Sequence, residues 1–244
     1  MNDLQRTPEW YLARQGKITA SECYLLFQNG RSKDAVFSQT CMTYLAKRIA
    51  TYYYTEDAYL EYCEMTQMHN KAVEWGVLFE PDARARFTEA TGIEVSDAPF
   101  IPLTGYEKFA GGSPDGITEE EQGIIEIKCP FTPEVHMQHY RCKDLDDFKK
   151  SFAQYYAQMQ MNMLCMTARG ETICDHCYFI SFDPRTSYDK QLSVMRIPRD
   201  VEYQALLIER IKLAVGMYRT AMEDYDSVNA IELTIKDDKD DNND

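Results

Sequence analysis

Asp115, Glu126 and Lys128 are the residues of this sequence best spaced to do chemistry together. Asp115 closes the run Gly111-Gly112-Ser113-Pro114-Asp115-Gly116, and Glu126 and Lys128 stand in Ile124-Ile125-Glu126-Ile127-Lys128-Cys129-Pro130. In a strand, alternate side chains share a face, so Glu126 and Lys128 point one way while Ile125 and Ile127 point the other. A hairpin between the two runs brings Asp115 alongside. Two carboxylates and an ammonium then converge over an apolar floor. Hard divalent ions such as Mg²⁺ take oxygen ligands and bridge carboxylates to phosphate. The set therefore suits phosphodiester hydrolysis: the ion polarises the phosphate and activates water, and the lysine stabilises or orients the nucleophile. Taken alone, the pattern fits a solvated hairpin with a surface Glu/Lys pair better than it fits a metal site.

The elements that must position these residues read as a mixed α/β domain. Residues 8–62 are helical in pieces, with Thr19 and Glu22 spaced as a capping box at one helix start. A longer helix is expected over 68–90, where Ala72, Trp75, Phe79, Ala83 and Phe87 form an apolar stripe and Pro81 marks a kink or a new start. Strands are expected over 93–103, 109–117 and 123–129, separated by Gly-containing turns. An amphipathic helix over 148–164 sets Phe148, Phe152, Tyr155, Met159 and Met163 against a polar face of Ser151, Gln154, Gln158 and Asn162. Two strands over 172–182 and 191–197 and a last helix over 199–225 complete the chain.

The 244 residues show no repeat and no long linker, which favours one domain over 1–236. Residues 237–244 hold five acids and one Lys, an acidic tail without an apolar anchor and expected to be disordered. That tail carries −4 of the net charge of −14 and leaves −10 on the body. Such a charge argues against a sequence-specific DNA reader, yet it does not decide what one cleft prefers. No apolar run approaches ~18 residues, no export signal opens the chain, and eight cysteines without such a signal read as free thiols, so a soluble, cytoplasmic protein is expected.

In order along the chain stand Arg14-Gln15-Gly16-Lys17-Ile18-Thr19-Ala20-Ser21-Glu22, then Trp75-Gly76 with Glu80 and Asp82-Ala83-Arg84. Ser113-Pro114-Asp115-Gly116, Glu126-Ile127-Lys128-Cys129-Pro130-Phe131-Thr132, Ala157-Gln158-Met159-Gln160 and Asp183-Pro184-Arg185 follow. Together these stretches resemble the phage lambda-type exonucleases, the YqaJ-like viral recombinase family of the PD-(D/E)XK nuclease superfamily. The resemblance implies a restriction-endonuclease-like fold, with a central mixed β-sheet flanked by helices. It implies a Mg²⁺-dependent 5′-to-3′ exonuclease on double-stranded DNA ends that releases mononucleotides and leaves a 3′ overhang. Mn²⁺ can substitute, and two ions are expected. The matching metal ligands are Asp115, Glu126, Glu80 and the main-chain carbonyl of Ile127. Lys128 matches the lysine that positions the attacking water, and Gln158 a glutamine lining the cleft. Pro81 departs from the family pattern beside Glu80. Arg14, Ser21 and Ser113 match residues that hold the 5′-phosphate, which suits a guanidinium and hydroxyls near a helix start. Arg31 is a further DNA contact by the same analogy. The family's ring-shaped homotrimer and its single-strand annealing partner are implied as well.

Other features have simpler readings. Cys174-Asp175-His176-Cys177 looks like half a zinc site but lacks a second pair of ligands. His136 and His139 lack a third partner, and Tyr52-Tyr53-Tyr54 reads as packing near a helix end. Lys47, Arg48, Lys149 and Lys150 could line a DNA channel, although solvation accounts for each of them. Two other functions fit the same residues: an endonuclease of the superfamily, and a non-catalytic DNA-end scaffold that recruits an annealing protein.

Overall fold

Pro99 and Pro114 cut two apolar runs into short pieces, and the architecture follows from where the pieces go. The computed structural model describes residues 4–32, 35–67, 70–118, 122–168 and 173–228, so the acidic tail lies outside the described residues. The strand expected over 93–103 is reduced to β2 (Ile101–Pro102) and one bridge between Ser96 and Ile117. Pro99 has no N–H to offer a ladder between them. Likewise the strand expected over 109–117 becomes β3 (Ala110–Gly112) and β4 (Gly116–Thr118), interrupted at Ser113, Pro114 and Asp115.

The two pieces serve different sheets. β3 pairs parallel to β1 (Ile18–Thr19) and antiparallel to β2 in a three-stranded sheet. β4 opens a four-stranded sheet of order β4-β5-β6-β7, with β5 (Gly123–Lys128), β6 (His176–Phe182) and β7 (Leu192–Pro198). There β5 and β6 run parallel and the outer pairs run antiparallel. Asp115 thus sits at the crossing from one sheet to the other. The mixed α/β class and the mixed sheet flanked by helices are as expected; the division into two sheets is not legible in the sequence.

Helices cover both faces. Near the N-terminus lie α1 (Pro8–Arg14), a 3-10 run over Ala20–Phe27, α2 (Gln39–Tyr52) and α3 (Glu56–Gln67). α4 (Lys71–Thr91) lays Ala83 and Phe87 on Ile125, Ile127 and Ile180. After β5 come α5 (Pro133–Arg141), α6 (Leu145–Ser151) and α7 (Ala153–Ala168). α7 is wedged between cores: Met159 and Met163 pack with Ile124 and Phe179, while Ala157 and Met161 pack with Leu26, Leu207 and Ile211. α8 (Val201–Ser227) closes the chain, its start capped by Asp200, whose carboxylate accepts from Tyr203 N at 2.9 Å.

Four local expectations are corrected. The helix expected over 148–164 is two helices, because Phe152 leaves helical geometry (φ −132°, ψ 42°) to stack on His139 at 3.9 Å in a cluster with Phe148 and Phe179. No capping box forms at Thr19: its side chain caps nothing, and Glu22 accepts from Arg48 at 2.8 Å instead. The apolar stripe of α4 is fully buried only at Ala83 and Phe87, since Ala72 lies over the exposed first turns. Of the two readings at Pro81, a kink or a new start, the new start does not occur: α4 runs on through Pro81, which lies on the exposed face, where water can satisfy the carbonyl it leaves without a donor. Among the simpler readings, His136 bonds Ser181 Oγ and Lys190 O, each at 2.8 Å, and Tyr53 bonds Asp226 at 2.9 Å.

Candidate active site

β5 presents Glu126 and Lys128 because its neighbour supplies the register. Asp115 N donates to Ile125 O at 3.1 Å, and Ile127 N donates to Asp115 Oδ2 at 2.7 Å. The Asp115 carboxylate is therefore stitched to the strand that carries Glu126 and Lys128. Ile125 and Ile127 turn under α4, and Glu126 and Lys128 turn toward α7, as strand alternation requires. Glu126 is wholly buried. Its Oε1 accepts from Lys128 Nζ and, at 2.6 Å, from Gln158 Nε2; its Oε2 accepts from Asn162 Nδ2 at 3.2 Å. Close packing allows this grip: a Cβ on Gly112 would lie 2.3 Å from Asn162 Oδ1.

Charge at the site is set by burial and by neighbouring carboxylates. Burial first, and then the negative charge of Glu126, push Asp115 up to about 7. Burial likewise raises Glu126, and Glu80 is raised by burial and then by Asp115. For Lys128, burial opposes the charge, but Glu126 and Asp115 outweigh it and raise its pKa, so the ammonium is retained. Burying like carboxylates together is costly unless cations compensate them.

A second group faces the same cleft from the N-terminal side. Trp10 Nε1 and Arg14 Nη1 both donate to Ser113 Oγ, at 3.1 and 3.2 Å, and the Arg14 guanidinium lies 4.1 Å from the centre of the Trp10 ring. Ser21, its hydroxyl 3.3 Å from that of Thr19, stands at the start of the 3-10 run on the same wall. Arg14 is lowered by burial and by Arg48 nearby. A partly desolvated guanidinium with adjacent hydroxyls is suited to an anion.

One cleft of about 370 Å³ gathers Arg14, Ser21, Glu80, Ser113, Asp115, Glu126, Ile127, Lys128 and Gln158. Gly76, one turn before Glu80 on α4, has open space where a side chain would stand. Arg31 is not brought there; it is exposed in the loop after the 3-10 run. Of the other basic residues, Arg48 pairs with Glu22, and Lys149 pairs with Asp200 at 3.0 Å. Arg6 and Trp10, which line the cleft, and Asn162, which bonds Glu126, escape sequence reasoning. Asn162 carried a signal, four residues after Gln158 on the same polar face, whereas Arg6 and Trp10 carried none. Arg6 Nη2 lies 2.5 Å from Glu80 Oε2, and Gln5 Nε2 donates to Pro114 O at 2.8 Å.

The donor set fits a hard cation. Glu80, Asp115, Glu126 and the main chain of Ile127 offer oxygen only, and the buried carboxylates need positive charge. Among the described residues no three acidic, His or Cys side chains already converge as ligands. Glu80 is held by Arg6, and Glu126 by Lys128, Gln158 and Asn162.

The model of the YqaJ-like viral recombinase domain matches residues 9–169. No curated protein gives a match. Among solved structures, the alkaline exonuclease LHK-Exo from Laribacter hongkongensis is 30% identical, with 90% of this chain and 96% of that one covered and a TM-score of 0.70. LHK-Exo in complex with dAMP is similar at 29% identity and a TM-score of 0.68, covering 89% and 95%. A phage related exonuclease from Haemophilus somnus 129PT shares the fold at 15% identity, with a TM-score of 0.65 and coverage of 86% and 96%.

Proposed function

This chain belongs to the YqaJ-like viral recombinase domain family, and from that premise we propose that it is a Mg²⁺-dependent exonuclease that digests one strand of duplex DNA from its 5′ end. The observation that carries the reading is the meeting of Asp115, Glu126, Glu80 and Lys128 with Arg14, Ser21 and Ser113 in one cleft. The three carboxylates and the Ile127 carbonyl would hold two ions, which supply Lewis-acid polarisation of the scissile phosphate; Mn²⁺ is the expected substitute. Lys128, kept protonated by Glu126 and Asp115, orients the attacking water and stabilises charge as it develops. Gln158 holds the Glu126 carboxylate in place. Arg14, Ser113 and Ser21 take the terminal 5′-phosphate, so that the next phosphodiester meets the carboxylates and cutting requires an end.

Products follow from that register. LHK-Exo was solved with dAMP, a nucleoside monophosphate, and release of mononucleotides is proposed for this chain too. The surviving 3′-ended strand would pass to a single-strand annealing protein in phage-type recombination. A homotrimeric ring around the duplex would reconcile the charge of −14 with a DNA track. No helix of the described residues is long and apolar enough to cross a membrane.

The test is digestion of linear duplex with Mg²⁺, comparing 5′-phosphoryl with 5′-hydroxyl ends, beside a supercoiled circle and Lys128→Ala. Preferred loss of the phosphorylated strand, an intact circle and an inactive variant are expected. A nicked or linearised circle would favour the endonuclease reading, and absence of Lys128-dependent cleavage would favour the scaffold.

A further inference from the structure

We propose that Arg6 is a mobile cation of this site, which holds Glu80 until DNA and metal arrive and then transfers to the phosphate backbone; this rests on the metal-site reading above. Arg6 Nη2 and Glu80 Oε2 are 2.5 Å apart, across 74 positions of sequence, and both residues line the cleft. The pair is partly shielded, with side chains 33% and 16% exposed, and the charge of Arg6 is felt at Asp115 as well.

Three contacts keep Arg6 over the cleft. Gln5 Nε2 bonds Pro114 O at 2.8 Å, Thr7 Oγ1 accepts from Trp10 N at 3.2 Å, and Trp10 Nε1 bonds Ser113 Oγ at 3.1 Å. Between these anchors Arg6 takes φ 62°, a left-handed conformation that a long side chain adopts only when its surroundings impose it. The segment thus spans from the Glu80 side of the cleft to the Ser113 side. Lys128 cannot take the same part, because Glu126 holds it.

The consequence is an exchange. One carboxylate cannot satisfy a guanidinium and a divalent ion fully at once, so metal uptake at Glu80 loosens Arg6. A released guanidinium at the mouth of a nuclease cleft finds its best acceptor in a phosphate, which it can bind through two N–H groups. Arg6 therefore opposes the metal in free protein and supports DNA in the complex. A mere tether for the N-terminal segment would not oppose the metal.

Isothermal titration of Mg²⁺ into DNA-free protein separates the two. Wild type, Arg6→Ala, Arg6→Lys and Asp115→Asn are compared, with thermal melts to verify folding and KM and kcat measured on linear duplex. Expected is roughly fivefold tighter Mg²⁺ binding by Arg6→Ala, the worth of one part-exposed ion pair, together with a raised KM for DNA. Arg6→Lys, which keeps the charge without the fork, should fall between and covers the case of a poorly folded alanine variant. Unchanged or weaker Mg²⁺ binding in both Arg6 variants overturns the proposal. Wild-type binding that is absent, or indifferent to Asp115→Asn, overturns the metal-site reading itself, and the proposal with it.

Discussion

Gln158 and Asn162, one turn apart on α7, grip the two oxygens of Glu126, at 2.6 Å on Oε1 and 3.2 Å on Oε2. A buried carboxylate bound at both oxygens has one orientation. Removing the Asn162 amide leaves Oε2 without its donor, at about 1–3 kcal/mol of stability, whereas removing Gln158 leaves Oε1 to Lys128 alone. Groups that orient a metal ligand typically matter by about 10- to 100-fold in affinity or activity. Gln158→Ala and Asn162→Ala should both weaken Mg²⁺ binding and slow cleavage while melting cooperatively. Gly112→Ala should copy Asn162→Ala, because its methyl would displace the Asn162 amide. Full activity in Asn162→Ala would show that the second oxygen needs no partner.

Lys128→Ala and Asp115→Asn should both abolish cleavage yet move stability in opposite directions. The first leaves Glu126 buried without its cation, a change worth about 3–5 kcal/mol against the fold. The second relieves a buried charge. The Asp115 pKa rises from 3.8 to about 7 on folding, so its ionisation costs the fold increasingly as pH climbs through that window. At pH 8, without metal, Asp115→Asn should be more stable by on the order of 2 kcal/mol. Denaturant melts of the two variants at pH 8 provide the check; equal destabilisation would mean that Asp115 is not under electrostatic strain.

Trp10 shares Ser113 Oγ with Arg14 and stacks beside its guanidinium. Arg14→Ala and Ser113→Ala should therefore lose most of the preference for 5′-phosphoryl over 5′-hydroxyl ends while keeping metal binding. Trp10→Phe keeps the ring and removes the N–H, and should cost severalfold less than Arg14→Ala. The ratio of initial rates on the two ends is the readout. An undiminished ratio in Arg14→Ala would place the phosphate elsewhere.

Asp200 links stability to acid pH. Burial alone would raise it, but bonds from Tyr156 at 2.6 Å, Tyr203 N at 2.9 Å and Lys149 at 3.0 Å lower it from 3.8 to about 2. With the folded pKa depressed, its contribution is present above pH 3.8 and is lost as pH falls toward 2. Asp200→Asn keeps a capping oxygen for α8 and should flatten the pH dependence in that window, whereas Asp200→Ala should also cost about 1 kcal/mol at neutral pH. Urea midpoints between pH 2 and 7 decide this; parallel curves for wild type and Asp200→Asn would count against it.

The sequence by itself determined what depends on near neighbours. Strand alternation in residues 123–128 put Glu126 and Lys128 on one face, and turn spacing placed Asp115 against them. The four-residue interval on α7 carried Gln158 and Asn162 to one side. Only tertiary structure decided the rest. Whether β3 and β4 would stay one strand depended on which sheet each half could join, and Phe152 left its helix for aromatic partners supplied by other elements. Arg31 bears the same charge as Arg6, yet only Arg6 faces the cleft. Periodicity and turn chemistry act over a few residues and can be read along the chain. Ion pairs and packing across 74 positions depend on how the elements dock, and no local pattern encodes them.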